Sequence, residues 1–113
     1  TFDEYLEILK DKNIYFLLAT LDNEAIGLIW LSFNEKLSKY EYLRKQIWIE
    51  GIYVKTKYRR KGIAQKLVNE AINKAKFLNA QSIELMIWDF NETSKKFFEN
   101  YFKIRSLILT KEL

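Results

Sequence analysis

With 113 residues, 49% of them hydrophobic and 16% aromatic, the chain can build one real core, and its composition argues against disorder. It contains no Cys and no His, which excludes thiol nucleophiles, Ser-His-Asp triads and His-ligated metal sites within it. The net charge is +4, and no apolar run approaches the roughly 20 residues of a membrane span.

In chain order, residues 2–11 (FDEYLEILKD) place Phe2, Tyr5, Leu6 and Leu9 at helical spacing and predict a helix. Residues 14–20 and 25–33 read as two strands around the turn signal Asp22-Asn23, a hairpin. Residues 34–45 are polar and lysine-rich and read as a loop, with room for a helical turn. Residues 46–54 (QIWIEGIYV) are apolar on both alternating faces, with Trp48, Ile52 and Val54 on one and Ile47, Ile49 and Tyr53 on the other. That pattern predicts a central strand covered on both sides, and Gly51 within it predicts a bulge or a close backbone approach. Residues 62–78 carry Ala64, Leu67, Val68, Ala71, Ile72, Ala75 and Leu78 at three-and-four spacing, an amphipathic helix. Residues 82–88 read as a buried strand. Residues 91–102 read as a helix capped by Asn91 with Phe97, Phe98 and Tyr101 inward, and residues 103–113 as one long or two short strands. Strand and helix alternate through the middle of the chain, which predicts helices packed on a mixed sheet.

The densest charge lies where a strand hands over to a helix. Lys55, Lys57, Arg59, Arg60 and Lys61 precede Gly62 within V-K-T-K-Y-R-R-K-G-I-A. From Lys55 to Lys76 eight basic residues face one acidic residue, Glu70; this net +7 leaves −3 on the rest of the chain. A local patch of this kind favours a discrete anionic ligand over a long polyanion. A helix start offers unpaired amides and a partial positive charge, and a glycine there lets the backbone approach a phosphate. Neither the G-x-x-x-x-G-K-[ST] loop nor the G-x-G-x-x-G fingerprint is present.

Arg59-x-x-Gly62-x-Ala64 resembles the [QR]-x-x-G-x-[GA] signature of the GNAT superfamily of acetyl-CoA-dependent N-acetyltransferases. E-G-I-Y-V lies upstream of it and W-D-F-N-E-T-S-K-K-F-F downstream, and the resemblance runs in order over residues 14–110. It implies an α/β (α+β) fold: a mixed, mostly antiparallel central sheet with a splayed, bulged strand and flanking helices. It implies a single acetyltransferase domain over residues 1–113. The sequence opens on Thr1 and lacks the family's usual first strand and first helix, so it reads as a trimmed fragment. Backbone groups of Ile52, Tyr53 and Val54 would bind the pantetheine arm of acetyl-CoA, the co-substrate. Backbone amides of Arg59, Arg60, Lys61, Gly62, Ile63 and Ala64 would bind its pyrophosphate. Asn91 matches the family asparagine that hydrogen-bonds pantetheine, and is equally an ordinary N-cap. Phe98 stands where the family often has a tyrosine that protonates the departing thiolate; Tyr101, about one turn on, is the substitute on offer, or core packing.

Glu50 is the candidate base, a charged residue on an otherwise apolar strand; the alternative is an ion pair with a neighbouring Lys or Arg. Trp48 and Trp88 either wall an acceptor pocket or fill the core. The implied activity is direct transfer of acetyl to a primary amine of a small molecule or peptide, which requires no protein nucleophile and no metal. Two alternatives stand beside it: a catalytically silent acyl-CoA sensor, which Phe98 makes conceivable, and a nucleic-acid-binding module using the basic patch. Against the last, only Tyr58 interleaves an aromatic with the basic residues. The expected partners are therefore an amine acceptor, with room for a homodimer, and neither nucleic acid nor membrane. The absence of cysteine fits a reducing, cytoplasmic setting.

Overall fold

The structure, a computed structural model, describes residues 4–11, 13–37 and 43–113. One five-stranded sheet runs in the order β1 (Glu4–Asp11), β2 (Ile14–Leu21), β3 (Glu24–Leu37), β4 (Leu43–Val54), β5 (Ser82–Glu84). The first four strands pair antiparallel, and β5 joins β4 in parallel after a crossover through helix α1 (Ile63–Phe77). A short helix α2 (Glu92–Phe98) follows β5. This is the mixed, mostly antiparallel sheet with flanking helices expected from the sequence.

The β2–β3 hairpin closes where expected. Asp22 (φ 51°) and Asn23 (φ 63°) both take the left-handed conformation that a two-residue hairpin turn demands, and short polar side chains tolerate it. The helix predicted for residues 2–11 is corrected: residues 4–11 form β1, paired with β2 from Glu4↔Thr20 to Asp11↔Ile14. A stretch of about ten residues is marginal as a lone helix, whereas the edge of β2 offers it a complete hydrogen-bond ladder. Phe2 and Asp3, the rest of that reading, lie outside the described residues. The loop expected over residues 34–45 is also corrected at both ends, because β3 runs on to Leu37 and β4 starts at Leu43; residues 38–42 lie outside the described residues.

In β4 the facing of the side chains differs from simple alternation. Trp30 pairs with Gly51 and Leu31 with Ile49, so Glu50 is the extra residue of a bulge. The extra residue shifts the parity by one. Ile47 and Ile49 before it, and Ile52 and Val54 after it, therefore fall on one face, opposite Phe33, Leu31, Ile29 and Gly27. Helix α1 covers that face with Ile63, Leu67, Val68, Ala71 and Ala75. Gly27 permits the close approach: a Cβ there would lie 3.1 Å from the Leu67 side chain and 3.2 Å from that of Ile63. Ile26, Ile29, Leu31, Ile47, Leu67 and Val68 are fully buried, each contributing about 1.5–3 kcal/mol by leaving water.

Beyond α1 the chain is less regular than its sequence suggests. β5 stops at Glu84, after only Gln46↔Ser82, Ile47↔Ile83 and Trp48↔Glu84. Residues 85–88, read as part of that strand, diverge from β4. Helix α2 ends at Phe98 instead of reaching residue 102, and the amides of Tyr101 and Phe102 both donate to the Phe98 carbonyl at 2.9 Å. Residues 103–113 form no strand, contrary to expectation; they are exposed, and a strand exists only where a neighbour completes its ladder.

Candidate active site

Two structural events place the site. The first is the divergence of β4 from residues 85–88. It opens a cleft of about 210 Å³ lined by Ile49, Glu50, Gly51 and Ile52 on one side and Leu85, Met86, Ile87 and Trp88 on the other, with Asn91, Ser94 and Phe98 beneath. Backbone groups of β4 past Trp48 that face away from β3 therefore meet no strand partner among the described residues. A larger depression of about 420 Å³, between β2 and α1, is lined by Leu17, Glu70, Asn73, Lys74 and Phe77 and holds none of the motif residues.

The second event is the turn into α1. A single 3₁₀ turn (Thr56–Tyr58) ends β4, and Arg60 (φ 61°) and Gly62 (φ 80°) then take left-handed conformations. Loops of this kind can gather successive amides around an anion. The first intrahelical bond runs from the Lys66 amide to the Gly62 carbonyl at 3.1 Å, so the amides ahead of Lys66 have no helical acceptor. A Cβ built on Gly62 meets nothing within 4 Å, which leaves the space above the helix start open. The residues present thus fit a pyrophosphate at Arg60–Ala64 and a pantetheine arm along β4.

The basic side chains divide into two groups. Lys55 makes an ion pair with Glu24 at 2.6 Å; that hydrogen bond holds the lysine above its ordinary value and the Glu24 carboxyl below its own. The Arg59 Nε donates to the Val54 carbonyl at 2.8 Å and its guanidinium lies over the Tyr53 ring at 5.6 Å, so Arg59 ties the loop to the end of β4. That bond also occupies one backbone group assigned to pantetheine. Lys57 and Lys61 lie over Tyr58, their Nζ atoms 5.2 and 5.8 Å from the ring centroid. They and Arg60 carry no ion pair among the described residues.

Glu50 lines the cleft. Among the described residues no Lys or Arg pairs with it; it accepts instead from the Ser32 hydroxyl at 3.2 Å. Asn91 caps α2, its Oδ1 accepting from the Ser94 amide at 3.1 Å, and it also lines the cleft. The cap is braced by Lys95, which reaches the Asp89 carbonyl at 2.8 Å, the Asp89 carboxylate at 3.1 Å and Glu92 at 3.3 Å; these bonds, that to Asp89 foremost, raise the Lys95 pKa. Phe98 is buried at the cleft floor, whereas Tyr101 is not among the lining residues and packs on Phe97 with ring centroids 5.6 Å apart. Trp88 is 75% exposed and stacks on Phe90; Trp48 lies in the sheet opposite Ser32. Ser32, Ser94 and Met86 are site residues that sequence reasoning missed. Only the alternation of β3 could have pointed to Ser32, by placing it on the face away from α1.

Among the described residues there is no helix long and apolar enough to cross a membrane, and no His, Cys, Asp and Glu grouping able to hold a metal ion. A splayed sheet with an open, glycine-led helix start beside the gap is the arrangement that the sequence resemblance implies. The model of the acetyltransferase (GNAT) family matches residues 1–102, and the chain belongs to that family. Solved structures of the same fold include a tetramutant of the BH1408 protein from Bacillus halodurans, with TM-score 0.83 and 20% identity over 92% of this chain and 69% of that one. The aminoglycoside acetyltransferase AAC(6')-Iy, in complex with the bisubstrate analog CoA-S-monomethyl-acetylneamine, matches with TM-score 0.79 and 19% identity over 94% and 73%. The ribosomal-protein-alanine N-acetyltransferase of Brucella melitensis biovar Abortus 2308 matches with TM-score 0.75 and 20% identity over 93% and 72%.

Proposed function

We propose that this domain transfers acetyl from acetyl-CoA to a primary amine of a small molecule or peptide. The observation that carries the reading is the continuity of the cleft: one concave surface joins the unpaired stretch of β4, the Glu50 carboxylate and Asn91. Bound there, acetyl-CoA supplies the activated acyl group. The amides of Arg60 to Ala64 and the charges of Arg60 and Lys61 hold the pyrophosphate, and backbone groups of Ile52 to Val54, with the Asn91 side chain, orient the arm. Glu50 accepts a proton from the incoming ammonium and so leaves a neutral amine to attack the acyl carbon. Phe98 has no proton to give, and Tyr101 does not line the cleft, so we assign neither as a donor to sulfur. Thiols ionise near pH 8.5, so the leaving group departs with little assistance. The fold neighbours acting on an aminoglycoside and on a ribosomal-protein alanine support an amine acceptor without selecting between the two classes.

Differential scanning calorimetry with acetyl-CoA tests the reading. Ligand at 100 times Kd adds about 2.7 kcal/mol, and a domain of this size gains roughly 4 °C or more per kcal/mol. A rise of about 10 °C is expected for the parent. Gly62→Asp, which puts a side chain and a negative charge into the open space, should abolish the rise. An unchanged melting temperature for the parent at millimolar acetyl-CoA overturns the function; an undiminished rise for Gly62→Asp moves the phosphate site elsewhere.

A further inference from the structure

Glu50 poses a positioning problem. As the extra residue of a bulge it is exposed, carries three side-chain torsions and has no cation beside it among the described residues. A base must stay within hydrogen-bond reach of the proton it removes, and a loosely held one loses much of its effect. Next to it, on the face of β3 away from α1, a short polar relay is built into the sheet. The Asn34 Nδ2 donates to the Ser32 Oγ at 3.4 Å, and the Ser32 hydroxyl donates to the Glu50 Oε2 at 3.2 Å. Residues two apart on a strand share a face, so the relay follows from the pleat of β3. A serine hydroxyl rotates freely and has one proton and two acceptor lone pairs. The donation from Asn34 occupies an acceptor site and leaves the proton for the carboxylate. At 3.2 Å the contact is longer than the roughly 2.5–2.7 Å of a strong charge-assisted hydrogen bond, so it favours one carboxylate rotamer by its direction more than by its strength.

We infer that Ser32, oriented by Asn34, is a positioning residue that fixes the Glu50 carboxylate at the edge of the cleft. The inference rests on the reading of Glu50 as the base, and two independent readouts keep the two apart. The first needs no turnover: side-chain three-bond couplings of Glu50 report its rotamer averaging by NMR. The parent should show one dominant rotamer, Ser32→Ala should average, and Ser32→Thr, which keeps the hydroxyl, should restore order. The second is CoA release from acetyl-CoA across a panel of simple primary amines beginning with n-butylamine. Ser32→Ala should lower kcat about 10- to 100-fold, the scale of a 1 Å misplacement, with acetyl-CoA affinity unchanged and Ser32→Thr close to the parent. In the double variant Ser32→Ala with Glu50→Gln, the rate should equal that of Glu50→Gln alone. Glu50 averaging equally in parent and Ser32→Ala overturns the positioning role, as does a Ser32→Ala rate equal to the parent's while Glu50→Gln is slow. Parent-like turnover in Glu50→Gln overturns the base reading instead, and a parent that releases no CoA with any amine of the panel overturns the transferase reading beneath both.

Discussion

A Cβ built on Gly51 would lie deep inside van der Waals contact with the Trp30 indole. The indole covers the strand beside the bulge, and Phe16 stacks against it with centroids 6.4 Å apart, so it cannot easily swing aside. Trp30, Gly51 and the bulge thus form one arrangement: a side chain at 51 would displace the indole from the strand where Glu50 has to be held. Overpacking typically costs about 1–3 kcal/mol. Gly51→Ala should destabilise the domain by about that much, and the cost should largely vanish in a Trp30→Leu background. Urea unfolding of the four proteins measures the coupling; equal costs in both backgrounds would show that some neighbour other than Trp30 resists the side chain.

At the scale of elements, α2 has only seven residues and depends on its ends. Asn91 satisfies the Ser94 amide, and Lys95 anchors the preceding turn to Asp89. Asn91→Ala should cost about 1 kcal/mol of stability, the usual worth of an N-cap, whereas Asn91→Asp keeps the acceptor and favours the helix dipole. If Asn91 serves only as a cap, acetyl-CoA affinity follows stability, and Asn91→Asp binds like the parent. If its amide donates to the pantetheine arm, both substitutions weaken binding; calorimetric titration of the two variants decides between these roles. The elements legible in the sequence were those with a strong local signal: the Asp22-Asn23 hairpin, the three-and-four apolar stripe of α1, and the strand–glycine–helix junction. Those that were missed depend on what lies alongside. Residues 4–11 have helical spacing but lie against the edge of β2, and residues 103–113 have the composition of a strand but no ladder. The bulge was anticipated at Gly51, yet the residue without a partner is Glu50, a difference of one position that only the register with β3 reveals. Likewise Ser32 carries no motif and acquires meaning only from being across the sheet from that bulge.

Over the whole molecule the basic segment separates into two groups. Lys55 is neutralised by Glu24, and Arg59 is bound to the end of β4, which leaves Lys57, Arg60 and Lys61 as the loop charges around the open helix start, with Lys66 in the first turn of α1. Lys74 and Lys76 sit in the last turn of α1, where they complement the negative end of the helix dipole. A 15-residue helix is about 22 Å long at 1.5 Å per residue, and the screening length in ~0.1 M salt is about 10 Å. The two groups are therefore electrically separate under ordinary conditions, and only the loop group can steer a polyanionic ligand to the cleft. The association rate of acetyl-CoA, followed by stopped-flow fluorescence, should fall steeply as salt rises from about 0.01 to 1 M, while the dissociation rate changes less. Replacing Arg60 and Lys61 together by Gln should flatten that salt dependence. Lys76→Gln should leave it unchanged at ~0.1 M salt and above. A Lys76→Gln effect as large as that of the loop substitutions would mean that the positive segment acts as one extended field, with no separate cradle at the start of α1.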